Sequence, residues 1–192
     1  MNFLKVAVIG KMRSGKDTFA KYFIQRGFKE YKFGTGIAEV IQAFFPEEWA
    51  KGKPRHLYQG IGQYFRTFDE DVWVKYVARQ IGESGHVIIT DVRQENEVKW
   101  LMENGFKIVK VVAPEETRIQ RMIEAGDVIP TNAEALFSML NHETEQFAEI
   151  SPCDYCVTNA GSIADLEAQA ESIYQDMMWE AQLKDRGLYF ES

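Results

Sequence analysis

The sequence predicts an α/β fold built on a parallel sheet, and three observations carry the prediction. Apolar runs of strand length alternate along the chain with segments whose apolar residues recur at helical spacing. The strand runs are near-continuous in apolar residues, the mark of strands buried on both faces. A glycine loop, G-K-M-R-S-G-K-D-T from Gly10 to Thr18, joins the first strand directly to the first helix.

Phe3 to Ile9 (FLKVAVI) is the first strand and ends at Gly10. From Lys16 to Gln25, Phe19, Ala20, Phe23 and Ile24 mark one helix face, and Gly27 supplies the stop. Tyr31 to Phe33 is a weak second strand, and IAEVIQAFF after Gly36 reads as a helix closed by Pro46, followed by a polar connection to about Pro54. Helices over Arg55 to Phe65 and Glu70 to Ile81 are expected above the sheet, beside the glycine loop. His86 to Asp91 (HVIITD) is a buried strand ending on a carboxylate, and Glu95 to Glu103 is a helix stopped by Asn104-Gly105. Phe106 to Ala113 is the fourth strand, Glu115 to Ala125 and Asn132 to Leu140 are helical, and Tyr155 to Thr158 is the last strand. A long helix starts near Ser162, and about Lys184 to Ser192 reads as a loosely attached tail.

At 192 residues the chain suits a single domain with insertions. Composition is that of a soluble globular protein, with 45% hydrophobic and 27% charged residues and no apolar run long enough to cross a bilayer. The N-terminus lacks a secretory cleavage pattern, so a cytoplasmic location is expected. A net charge of −7 argues against a nucleic-acid polymer as partner. Cys153 and Cys156 form a C-x-x-C without a second pair at zinc-finger spacing, and are expected as reduced, buried structural thiols.

The chemistry concentrates in the glycine loop. Gly10, Lys11, Met12, Arg13, Ser14, Gly15, Lys16, Asp17 and Thr18 match G-x-x-x-x-G-K between a buried strand and a helix. In such a loop the backbone N–H groups and the helix N-terminus cradle phosphates, and Lys16 reaches the β and γ phosphates of ATP. Asp17 stands where the usual pattern has Ser or Thr for magnesium; the ion could be held by Asp17 or by the Thr18 hydroxyl, or Asp17 could serve only the helix dipole. Arg13 could meet transferring phosphoryl oxygens or face solvent.

Parallel sheets place ligands at the carboxyl ends of their strands, so Asp91 is expected near Lys16 as a magnesium or proton-accepting carboxylate, with capping of the next helix as the alternative. Arg93 could grip a substrate phosphate bidentately or pair with Glu95 or Glu97 on the surface. Arg55, Arg66, Arg118 and Arg121 are further candidate phosphate binders, Arg66 and Arg118 above the others. Tyr64, Phe65, Phe68 and Trp73 could stack on a base or fill a core.

The pattern resembles the phage-type deoxynucleoside monophosphate kinases and, more distantly, the animal-type phosphomevalonate kinases. The resemblance rests on SGKDT (Ser14 to Thr18), LYQGIGQYFR (Leu57 to Arg66), VWVKYVA (Val72 to Ala78), TDVRQENE (Thr90 to Glu97), H-x-T-E (His142 to Glu145) and DYCVTNAGSIADL (Asp154 to Leu166). It implies a P-loop NTPase fold, three-layer α/β/α with a five-stranded parallel sheet, a helical monophosphate-binding insert at about 34–81 and a lid at about 118–150. It implies too that Asp17 is normal in this position, that Asn159 and Gly161 lie near the adenine of ATP, and that Gln59, His142 and Glu145 belong to the acceptor side. Without it, His142 and Glu145 read as a solvated helix face.

The expected activity is transfer of the ATP γ-phosphoryl, with Mg2+, to a nucleoside 5′-monophosphate, the lid excluding water. Lys16, Arg13, Asp91 and Arg93 would carry the transfer, and a homodimer is left open. The rivals are a kinase of another small phosphate, of phosphomevalonate or dephospho-coenzyme A type, and a non-catalytic ATP-binding switch.

Overall fold

The computed structural model describes residues 3–82, 85–127 and 143–188, together with Glu134, Phe137 and Leu140. The strands are β1 (Lys5–Ile9), β2 (Lys29–Tyr31), β3 (Val87–Ile89), β4 (Lys107–Val112) and β5 (Tyr155–Thr158), in sheet order β2-β3-β1-β4-β5. The α-helices are α1 (Lys16–Ile24), α2 (Thr35–Phe44), α3 (Pro46–Ala50), α4 (Arg55–Arg66), α5 (Val72–Gln80), α6 (Glu95–Glu103), α7 (Glu115–Glu124), α8 (Glu143–Ile150) and α9 (Ile163–Asp185). The five-stranded all-parallel sheet with flanking helices is the α/β architecture that the alternating apolar runs anticipate, in the P-loop form that the resemblance implies. Two compact units form, 1–30 with 84–192, and 31–83.

In the larger unit, β1 runs parallel to β3 and to β4, with Val6 opposite Ile88 on one side and Lys107 on the other. Val6, Ala7, Val8 and Ile9 are fully buried because the central strand is covered on both faces. β5 is the edge strand beside β4, with Val111 opposite Val157. Its outer edge is closed at Thr158, whose N–H donates to Gln169 Oε1 (3.0 Å) while Gln169 Nε2 donates back to the Thr158 carbonyl (2.9 Å). α1 packs against α9 through Phe19, Tyr22 and Phe23 on one side and Leu166, Ala170, Ile173 and Met177 on the other. Burying a side chain such as Phe23 contributes about 1.5–3 kcal/mol.

The smaller unit holds Ile37, Ile41 and Trp73 at its centre, with Trp49, Leu57, Tyr58, Ile61 and Val72 around them. Trp73 Nε1 donates to the Gly62 carbonyl at 3.1 Å, which satisfies its one polar atom inside the core. Trp73 is therefore a core residue, whereas Tyr64, Phe65 and Phe68 are exposed.

Several expectations shift. The second strand forms at Lys29–Tyr31, because the Lys29 N–H donates to the His86 carbonyl (2.9 Å) while Lys32 is drawn into the turn that opens α2. The stretch expected to be a polar connection contains α3, which starts on Pro46 at a position where proline's missing N–H costs nothing. The tail begins later than expected, since α9 continues through Lys184 to Asp185. Cys153 and Cys156 are free as expected but exposed, not buried. In β5 it is Val157 that turns inward, so the alternation of a strand sends Cys156 outward. Of the helix expected over Asn132 to Leu140, Glu134, Phe137 and Leu140 are helical and the rest lies outside the described residues.

Candidate active site

Two glycines fix the loop between β1 and α1. At Gly10 a Cβ would run into the Val111 carbonyl oxygen of β4 and the Ser14 hydroxyl, so the chain can turn this close to the neighbouring strand only without a side chain. Gly15, the N-cap of α1, has φ 102°, and a Cβ there would overlap the Asn159 side-chain amide. Between them Arg13 holds φ 59°, a left-handed conformation that costs a non-glycine residue on the order of 1–2 kcal/mol. Arg13 is pinned on both sides of that strain. Its Nε donates to Asp127 Oδ2 at 2.7 Å, and Arg121 donates to its carbonyl at 3.1 Å. Left-handed residues in a short loop turn N–H groups toward a common centre, the geometry of anion-binding concavities.

Lys16 opens α1 and folds back over the loop, its Nζ donating to the carbonyls of Gly10 (2.7 Å) and Lys11 (2.9 Å). Burial pushes its pKa down to about 8, with Arg93 and Arg118 acting in the same direction against Glu145 and Asp17. Asp17 is exposed in the first turn of α1 and Thr18 half-buried. Asp91 is half-buried two residues beyond the end of β3. The N-cap of α6 is Gln94, so Asp91 does not cap that helix. Glu97 accepts from the backbone N–H groups of Arg93 (2.7 Å) and Gln94 (3.1 Å), which shapes the turn that brings the exposed Arg93 within electrostatic reach of Lys16.

The residues assigned to the acceptor side fall into different places. Arg118 and Glu145 are both buried and pair with each other, Arg118 Nη1 to Glu145 Oε2 at 2.9 Å. Both Glu145 oxygens accept from the Met12 N–H, at 2.8 and 3.0 Å, and Arg118 reaches the Met12 carbonyl at 3.3 Å. Glu145 is thus not on a solvated face. One turn further along α8, Glu149 pairs with Lys11 at 2.8 Å. Gln59 and Arg66 lie on α4 in the smaller unit, Gln59 exposed and Arg66 half-buried. His142 lies outside the described residues.

Asn159 is buried, and its side-chain amide donates to the Ser14 carbonyl at 2.8 Å. Gly161 is exposed in the following turn, where Ser162 caps α9 through a reciprocal pairing with Asp165. Sequence reasoning missed Asp127 and Glu149, which hold the loop from more than 110 residues away. No local motif signals them. Among the described residues no group of three or more His, Cys, Asp or Glu side chains could hold a metal ion by itself, and no helix is long and apolar enough to cross a membrane.

No curated protein matches the sequence. Among solved structures, a shikimate kinase from Acinetobacter baumannii in complex with shikimate is similar at a TM-score of 0.58 and 18% identity, over 92% of this chain and 94% of that one. A gluconokinase from Sinorhizobium meliloti gives 0.55 and 17% over 92% and 96%, and a dephospho-CoA kinase from Campylobacter jejuni gives 0.53 and 14% over 90% and 96%. At these identities the likeness concerns the fold, that of P-loop kinases. The family described as AAA domain matches residues 6–137, more than half of the chain and the whole of the glycine loop, and the protein belongs to that family.

Proposed function

We propose that this protein is a nucleoside monophosphate kinase, acting on deoxynucleotides, that transfers the γ-phosphoryl of ATP to a 5′-monophosphate. The observation that carries the reading is the Gly10–Thr18 loop with Lys16 inside it, flanked by Arg93 after β3. Phosphoryl transfer asks mainly for positioning and charge neutralisation, for which Lys16 within the loop and Arg93 in electrostatic reach of it are the cationic candidates, with Arg13, paired to Asp127, as a third. Asp17, Thr18 and Asp91 offer two carboxylates and a hydroxyl. That donor set suits magnesium, which takes one or two carboxylates and completes its shell with phosphates and water. When bound, the ion would neutralise charge between the β and γ phosphates.

The nucleotide acceptor rests on the motifs LYQGIGQYFR and TDVRQENE, in which Gln59, Arg66 and Arg93 are the candidate substrate-binding residues. A coupled assay with Mg-ATP across ribo- and deoxynucleoside monophosphates tests it. We expect diphosphate product with at least one deoxynucleotide, preferred over its ribose counterpart; no turnover of any monophosphate would sink the reading.

A second reading is a kinase of a non-nucleotide phosphate, favoured by the similarity to a structure named as a dephospho-CoA kinase over 90% of this chain. Thermal stabilisation by dephospho-coenzyme A, with none by any deoxynucleoside monophosphate, would select it.

A further inference from the structure

Both backbone polar groups of Met12, at the tip of the glycine loop, are taken by one buried ion pair. Glu145 accepts from the N–H with both oxygens, and Arg118 donates to the carbonyl. The two side chains are 3% and 4% exposed, and Glu145 Oε2 also receives Arg118 Nη1 at 2.9 Å. Glu115, 3.7 Å from Arg118 Nη2, adds a weaker contact from the first turn of α7. Groups sealed from solvent and saturated by their own backbone are poorly presented to a small molecule. They are well placed to hold a loop whose next residue, Arg13, is in a strained left-handed conformation.

We propose that Glu145, charge-balanced by Arg118, is a positioning residue that sets the shape of the ATP loop, and not a ligand of the phosphate acceptor. The proposal rests on the reading of Gly10–Thr18 as the triphosphate loop. A carboxylate that fixes the Met12 N–H holds the tip in the conformation phosphates require, which lowers the ordering that ATP must otherwise bring about on binding.

The test is ATP binding by titration calorimetry at neutral pH, with no acceptor present, for wild type, Glu145→Gln, Glu145→Asp and the neutral pair Arg118→Gln/Glu145→Gln. We expect Glu145→Gln to weaken ATP roughly tenfold, the loss of about one charge-assisted hydrogen bond. Glu145→Asp, which keeps a carboxylate toward the Met12 N–H, should recover part of the lost affinity, a rescue that a general packing defect does not give. Should Glu145→Gln fail to fold, the neutral pair is read in its place, with the same loss of affinity expected.

Unchanged ATP affinity in Glu145→Gln overturns the proposal. So does tighter ATP binding, which would mark the carboxylate as a competitor of phosphate. Because no acceptor is needed, a wild-type protein that binds ATP yet phosphorylates no nucleoside monophosphate defeats only the acceptor reading, and the Glu145 comparison still decides this one.

Discussion

The side-chain amide of Asn159 donates to the carbonyl of Ser14 at 2.8 Å, while the Asn159 N–H donates to the Val112 carbonyl at 2.7 Å. One residue at the end of β5 thereby joins the glycine loop to β4. Asn159→Ala leaves the buried Ser14 carbonyl without this donor, and should cost about 1–3 kcal/mol of stability by denaturant unfolding. ATP affinity should fall with it.

Gly10→Ala places a methyl group against the Val111 carbonyl, backbone that cannot move without disturbing the β1–β4 pairing. Overpacking of this kind costs about 1–3 kcal/mol. Gly15→Ala meets a side chain instead, so the double variant Gly15→Ala/Asn159→Ala should lose less than the sum of the two single losses. Additive losses in unfolding free energy would contradict the clash.

Lys16 makes stability and ATP binding respond to pH in opposite directions. Its folded pKa is about 8 against an ordinary value of 10.5, so between these values the unfolded chain binds more protons, and this lysine makes stability rise with pH. ATP binding needs the charged form and should weaken as pH rises through about 8. Lys16→Met should remove the rise in stability and lower kcat about 100- to 1,000-fold, as loss of a single group aimed at transition-state charge does.

Breaking the buried pair from one side is costly. Arg118→Met leaves the Glu145 carboxylate buried beside an N–H alone, and should destabilise by about 3–5 kcal/mol in urea titrations. Replacing both partners with well-packed apolar residues should recover much of that loss.

His86 supplies an acid-side switch in stability. Its Nδ1 accepts from the Leu4 N–H at 2.9 Å, and its ring stacks on Phe28 at 4.9 Å, so the neutral form is favoured. Burial holds its pKa below the ordinary 6.5. The contribution is complete above 6.5 and is lost as pH falls from there toward the lower folded value. His86→Gln should flatten unfolding free energy over that range.

The fold class and the glycine loop could be read from the sequence because both are local. Strand-length apolar runs identify β1, β3 and β4 without knowledge of their neighbours, and G-x-x-x-x-G-K carries its own backbone requirements at Gly10 and Gly15. Helix α6 was legible to the residue, Glu95 to Glu103, since its stop signal is contiguous with it.

Tertiary structure alone decided what surrounds the loop. Glu145 lies 133 residues from Met12, Asn159 145 from Ser14 and Asp127 114 from Arg13, and no periodicity or spacing encodes such pairs. Burial was equally out of reach for polar residues. A helix carrying E-T-E-Q reads as a solvated face until Arg118 is found opposite Glu145, and Cys156 reads as buried until β5 proves to be an edge strand. A loop's shape follows from its own glycines and left-handed residues, whereas the charges that hold it come from wherever the fold happens to bring them.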